Sequence, residues 1–182
     1  MLEGGDQSRQ LIPCRVETKY PENDWESIWS RARLQGLGPE LVSFLFKVLH
    51  DLLPTQERLS RTSPGENGMC KLCVENAQEL HALIRCPANQ GIGEAVLLCL
   101  PIQNDVQDQH VLQLQLDLDS PLELPAVWFL AAAWSSLWES RKIGRRPELY
   151  KVRADLEAKV SLLRRTRHSE AADQISLMIS KL

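Results

Sequence analysis

Residues 70–86 carry the pattern Cys70-x2-Cys73-x7-His81-x4-Cys86, and no other stretch restricts the fold as tightly. A zinc ion takes four soft or borderline donors in a tetrahedron, and short loops bearing thiolates and an imidazole supply them. Two residues between the first cysteines make a tight knuckle that turns both sulfurs toward one point. His81 and Cys86 lie five residues apart, near one and a half helical turns, so a short helix can present both. Three of the five cysteines fall in this window. The pattern therefore predicts zinc as cofactor, held by Cys70, Cys73, His81 and Cys86, against the blander reading of clustered reduced thiols.

The 182-residue chain can bury one good core, or one core plus a small metal-stabilised module. An odd cysteine number with three at metal spacing fits a reducing compartment, so nucleus or cytoplasm is expected. No basic, apolar leader opens the sequence. The most apolar run, residues 124–138, is too short for a membrane span and contains Pro125, so a buried core helix is expected and no membrane partner. The net charge of −3 argues against a blanket nucleic-acid binder. Charge is unevenly spread, however. Residues 139–168 hold ten Lys/Arg against four Asp/Glu, a local +6, which leaves −9 for the remainder.

Along the chain, residues 1–21 are polar and aperiodic and read as a flexible lead-in. Asn23 or Asp24 can cap a helix starting at Trp25, with Trp25, Ile28, Trp29 and Ala32 on one face. Leu37-Gly38-Pro39 starts a second helix reaching about Leu53, with a broad apolar stripe that includes Leu52, and Pro54 stops it. A short amphipathic piece over 55–61 and a Ser-Pro-Gly-Glu-Asn-Gly loop lead to Cys70. Beyond Cys86 the periodicity predicts helices over about 92–100, 122–143, 147–167 and 169–181, the last capped by Ser169. Residues 106–118 are ambiguous between helix and extended linker. The expected architecture is all-α, a helical bundle with an inserted Cys-Cys-His-Cys zinc knuckle. Its divisions are residues 1–21, a helical zinc-binding region over 22–100, and a helical C-terminal region over 101–182 with a basic face.

Several residues resemble a known pattern. They are Trp25-x3-Trp29, Pro39, the string Phe44-Leu-Phe-Lys-Val-Leu-His50-Asp-Leu-Leu-Pro54-Thr55, and Arg58-Leu59 running into the knuckle. This segment resembles the zinc-binding region that follows the polymerase in LINE-type (non-LTR) retrotransposon reverse transcriptases. Leu124-Pro-x-Val-Trp-Phe-Leu, Trp138-Glu-Ser-Arg-Lys142, Gly144-Arg145-Arg146 and Arg153-Ala-x-Leu-Glu157 are similar to the ends of animal elements of this kind. The resemblance implies binding of RNA or DNA. It differs in one respect: where the family often has an acidic residue four before the ligand histidine and Leu-Phe or Leu-Leu after it, this chain has Ala77 and Ala82-Leu83. An altered supporting shell implies weaker zinc binding. No polymerase palm precedes residue 22, so reverse transcriptase activity is not carried over and a non-catalytic role is expected.

The basic residues Arg141, Lys142, Arg145, Arg146, Arg153, Arg164, Arg165 and Arg167 have the form of a phosphate-contacting surface, against the reading of a solvated face. Asp155, Glu157 and Lys159 echo part of a restriction-type nuclease motif, but on a helix Asp155 and Lys159 form an ordinary i,i+4 pair. His50 is expected to pack a helix end rather than bind metal, and Cys14 and Cys99 to be ordinary thiols. Trp128, Trp134 and Trp138 read as core. Two functions follow from these observations: a nucleic-acid-binding zinc-knuckle module, or a helical module or degenerate retroelement fragment that docks another protein.

Overall fold

The structure, a computed structural model, describes residues 15–34, 36–65, 67–75, 78, 80–89, 91–101, 111, 114–116, 120–166 and 168–182. The described residues form helices and turns with no β-strand, so the all-α expectation holds. In chain order the helices are α1 (Arg15–Lys19), α2 (Trp25–Ala32), α3 (Gly38–Leu49), α4 (Gln56–Ser60), α5 (Ile92–Leu98), α6 (Ser120–Lys142), α7 (Leu149–Leu163) and α8 (Ser169–Lys181). A π-helical turn, His81–Arg85, and a 3-10 turn, Pro87–Asn89, lie between α4 and α5. None of the helices is long and apolar enough to cross a membrane.

Helix α6 is the axis of the molecule. From Ala126 to Ala133 every side chain is buried, and Trp134, Leu137 and Trp138 continue the burial toward its end. A helix apolar all round is stable only when other elements cover every side. Here α8, α7, α3, α2, α5 and the π turn all pack on it. The covering helices are amphipathic at helical spacing: Val152, Leu156, Val160 and Leu163 on α7, and Ala172, Ile175, Met178 and Ile179 on α8. One hydrophobic cluster runs from Ile28 through Leu83 and Ile84 to Ile179, so residues 22–100 and 101–182 share a single core.

Local chemistry fixes most boundaries. Asp24 caps α2 by accepting from the Ser27 amide at 3.2 Å, and Thr55 caps α4 by accepting from the Arg58 amide at 3.3 Å. Pro39 occupies the first turn of α3, where its missing N–H costs nothing. Three boundaries depart from the sequence reading. Helix α3 ends at Leu49, not near Leu53, because Asp51 takes a left-handed backbone (φ 57°), with the Leu52 amide returning to the Lys47 carbonyl at 2.7 Å and the Asp51 amide to the Val48 carbonyl at 3.0 Å. Leu52 consequently leaves the stripe and is exposed, whereas Leu53 is buried. Residues 15–19 are helical rather than a loose lead-in, since the Trp29 indole donates to Glu17 and the Trp25 indole to the Tyr20 carbonyl, both at 2.8 Å. Ser169 is the first residue of α8 and does not cap it; the position before it is His168. The lead-in over 1–14 and most of the ambiguous 106–118 stretch lie outside the described residues.

Candidate metal centre

The knuckle is built by the backbone around Cys70. Its amide donates to the Glu75 carbonyl at 2.6 Å, its carbonyl accepts from the Val74 amide at 2.8 Å, and its Sγ accepts from the Leu72 amide at 3.4 Å. Closing this loop requires Val74 at φ 66°, a left-handed conformation that costs an L residue about 1–2 kcal/mol. The other pair of donors comes from the π turn. Its hydrogen bond from the Cys86 amide to the His81 carbonyl, 2.8 Å, is the i→i+5 bond that defines such a turn. A five-residue spacing that an α-helix would splay apart is thereby brought to one side. Π turns recur at functional sites for this geometric reason.

The four donor atoms of Cys70, Cys73, His81 and Cys86 all lie within 4.8 Å of one another, a group that can hold a metal ion. Cys70 Sγ is 3.9 Å from Cys86 Sγ, Cys86 Sγ is 3.6 Å from Cys73 Sγ, and Cys73 Sγ is 3.2 Å from His81 Nε2. With metal–sulfur bonds of about 2.3 Å, a tetrahedron has sulfur–sulfur edges of roughly 3.8 Å. The measured sulfur separations match that edge and exceed a disulfide bond, and all four cysteines among the described residues are free. Cys70 and Cys86 are buried, while Cys73 and His81 are half-buried.

Three residues that the sequence did not nominate for this site surround these donors. Glu75 Oε2 lies 3.3 Å from His81 Nδ1, which holds the ring proton on Nδ1 and leaves Nε2 as a donor toward the sulfurs. The acidic support missing at position 77 is thus supplied two residues after Cys73. Arg141, at the end of α6, donates from one guanidinium nitrogen to Cys70 Sγ at 2.9 Å and from another to Asn89 Oδ1 at 3.1 Å. Asn89 is fully buried and donates its own amide to the Ala82 carbonyl at 3.1 Å. Burial alone would push the Cys70 thiol up. The Leu72 amide, His81, the Cys73 amide and the Arg141 charge outweigh it and hold the thiol at about 6. Cys73 goes the other way, to about 12, through burial and its neighbours Cys86 and Cys70, against the Glu75 amide.

The turn is seated firmly. Ala82, Leu83 and Ile84 are in the main core, and α5 crosses so close that a Cβ on Gly93 would sit 2.5 Å from the Ile84 carbonyl oxygen. Glycine is required there by space, since nothing with a side chain fits.

The basic residues divide. Arg141 donates to Cys70 Sγ of the donor cluster. Lys142 pairs with Glu139, Arg153 with Glu157, and Arg164 with Asp173. Arg145, Arg146 and Arg165 are exposed, with no ion-pair partner among the described residues, and Arg167 lies outside those residues. Asp155 and Lys159 form the i,i+4 pair read from the sequence, and Glu157 is taken up by Arg153. His50 ends α3 and stacks on Trp29 with ring centroids 4.9 Å apart, and it is not part of the donor group. Cys99 is buried, which raises its thiol against the pull of Lys181, and Cys14 is outside the described residues. Glu75 and Asn89 sit near enough in sequence to be found by asking what a ligand histidine leans on. Arg141, 71 residues from Cys70, carries no such signal. No family model, curated protein or solved structure matches this chain.

Proposed function

We propose that this chain is a non-catalytic zinc-knuckle module that binds RNA or DNA, derived from the region that follows the polymerase in LINE-type retrotransposon reverse transcriptases. One observation carries the metal half: three thiol sulfurs and one imidazole nitrogen gathered within 4.8 Å. Sulfur-rich donor sets favour zinc, and four protein donors leave no open position for substrate, which marks a structural rather than a catalytic ion. Free thiols at the site fit a nuclear or cytoplasmic setting.

The nucleic-acid half is supported by the resemblance and by the exposed cations Arg145, Arg146 and Arg165. A cleft of about 320 Å³ beside the cluster has Lys71 and Lys142 on its wall and Trp138 in its lining. An alternative reading, docking of another protein, is favoured by the pairing of half of the basic residues with carboxylates and by Ile143, Leu149 and Tyr150, which stand exposed around the turn after α6.

Fluorescence anisotropy with a single-stranded RNA, titrated at several salt concentrations, separates the two. Three free arginines predict a log–log salt slope of about −2 and a Kd of roughly 10⁻⁴ to 10⁻⁶ M near physiological salt. Replacing Arg145, Arg146 and Arg165 together by Glu is expected to abolish binding and leave zinc content unchanged. A zinc-loaded, folded protein that binds no RNA even at low salt leaves the protein-docking reading in its place.

A further inference from the structure

We propose that Arg141 is a positioning residue of the metal centre, through which metal occupancy fixes the turn that carries Arg145 and Arg146. This rests on the reading of the Cys-Cys-His-Cys group as a metal site and adds the means by which that site governs the basic surface.

The argument begins with charge. Arg141 is half-buried, and no carboxylate lies within ion-pair distance of it among the described residues. A guanidinium taken partly out of water needs an anionic partner or full hydrogen bonding. The partners it has are Cys70 Sγ at 2.9 Å and Asn89 Oδ1 at 3.1 Å. Three thiolates and a neutral imidazole around a divalent ion carry a net charge of −1, which one guanidinium cancels. The anion that Arg141 needs is therefore the loaded cluster.

Geometry then extends the effect. Cys70, Arg141, Asn89 and the Ala82 carbonyl form a continuous chain of hydrogen bonds, joining both halves of the donor set to the end of α6. The helix stops immediately after this contact. The Gly144 amide donates to the Arg141 carbonyl at 2.9 Å and the Arg145 amide to the Ser140 carbonyl at 3.0 Å, with Gly144 at φ 69°. That left-handed glycine terminator directs the chain outward into Arg145 and Arg146. With the guanidinium held, the turn has one geometry; with it released, the last residues of α6 are free to fray.

The test measures zinc affinity by competition with a chromogenic chelator, and amide hydrogen exchange at Gly144 and Arg145, in the full chain. Arg141→Gln is expected to weaken zinc binding by about 10–100-fold, as loss of a group that supports a metal ligand does. With zinc saturating, the Gly144 and Arg145 amides of this variant should exchange about tenfold faster than in the wild type, matching the chelated wild type. Arg141→Lys keeps the charge, loses the two-pronged geometry, and should fall between. Should Arg141→Gln not fold, Asn89→Ala, which removes one prong's partner together with the bond to the Ala82 carbonyl, is expected to shift both readouts in the same direction. Wild-type affinity and unchanged exchange in the folded variants would overturn the assignment of Arg141 while leaving the metal site standing. A wild-type chain that takes up no zinc would overturn both.

Discussion

Chelating the metal is expected to lower the thermal midpoint of this protein by about 10 °C or more and to melt helix well beyond the knuckle. From the sequence alone, the loss would be confined to residues 70–86, because the helices from 122 onward have apolar faces of their own. The shared core changes that expectation. Leu83 and Ile84, on the turn that carries His81 and Cys86, are in the same hydrophobic cluster as Trp134 and Ile175. Helix α5 in turn has its Gly93 directly against the Ile84 backbone. Structural zinc supplies about 10–16 kcal/mol in small zinc-finger peptides, comparable to the whole stability of an ordinary domain. Losing even ~5 kcal/mol in a chain of this size corresponds to about 10–20 °C. Circular dichroism through a melt, with and without chelator, reads this directly. An unchanged midpoint would mean that the core holds the turn without metal.

The second large effect is expected at Trp134. Its ring is fully buried in the middle of α6, and its indole nitrogen has no hydrogen-bond partner among the described residues. Trp134→Ala should cost about 3–5 kcal/mol, the range for emptying a buried aromatic site. Trp134→Phe should cost much less, about 1–2 kcal/mol, because no hydrogen bond is lost and much of the volume is kept. Denaturant melts of zinc-loaded protein measure both. An Ala variant within about 1 kcal/mol of the wild type would show that α6 is not the central packing element.

How much of this was legible in the sequence depends on the range of the forces involved. The four donors were legible because loop geometry over seventeen residues is set by spacing, and the helices were legible because burial imposes a period. The cap at Asp24 is local chemistry and appears where the residues suggest. The end of α3 was misplaced because Asp51 adopts a left-handed turn that Pro54 conceals: a reader stops the helix at the proline, and the chain stops it at His50. The π turn was read as an ordinary short helix, since a five-residue spacing does not declare which hydrogen bond will close it. The basic neighbours of Arg141 point to phosphate, and only the three-dimensional approach of α6 to the knuckle reveals its contact with Cys70 Sγ. A composition of ten cations in thirty residues, counted along the chain, overstated the free charge: on folding, five of them pair with carboxylates one turn away or on α8.

The central claim is that Cys70, Cys73, His81 and Cys86 hold one zinc ion, and metal content measured by elemental analysis on protein purified with zinc present tests it most directly. The wild-type chain should carry one zinc, and Cys73→Ser and His81→Ala should each lose most of it while remaining soluble enough to assay. A wild-type chain without zinc, or full retention in both variants, would contradict the claim.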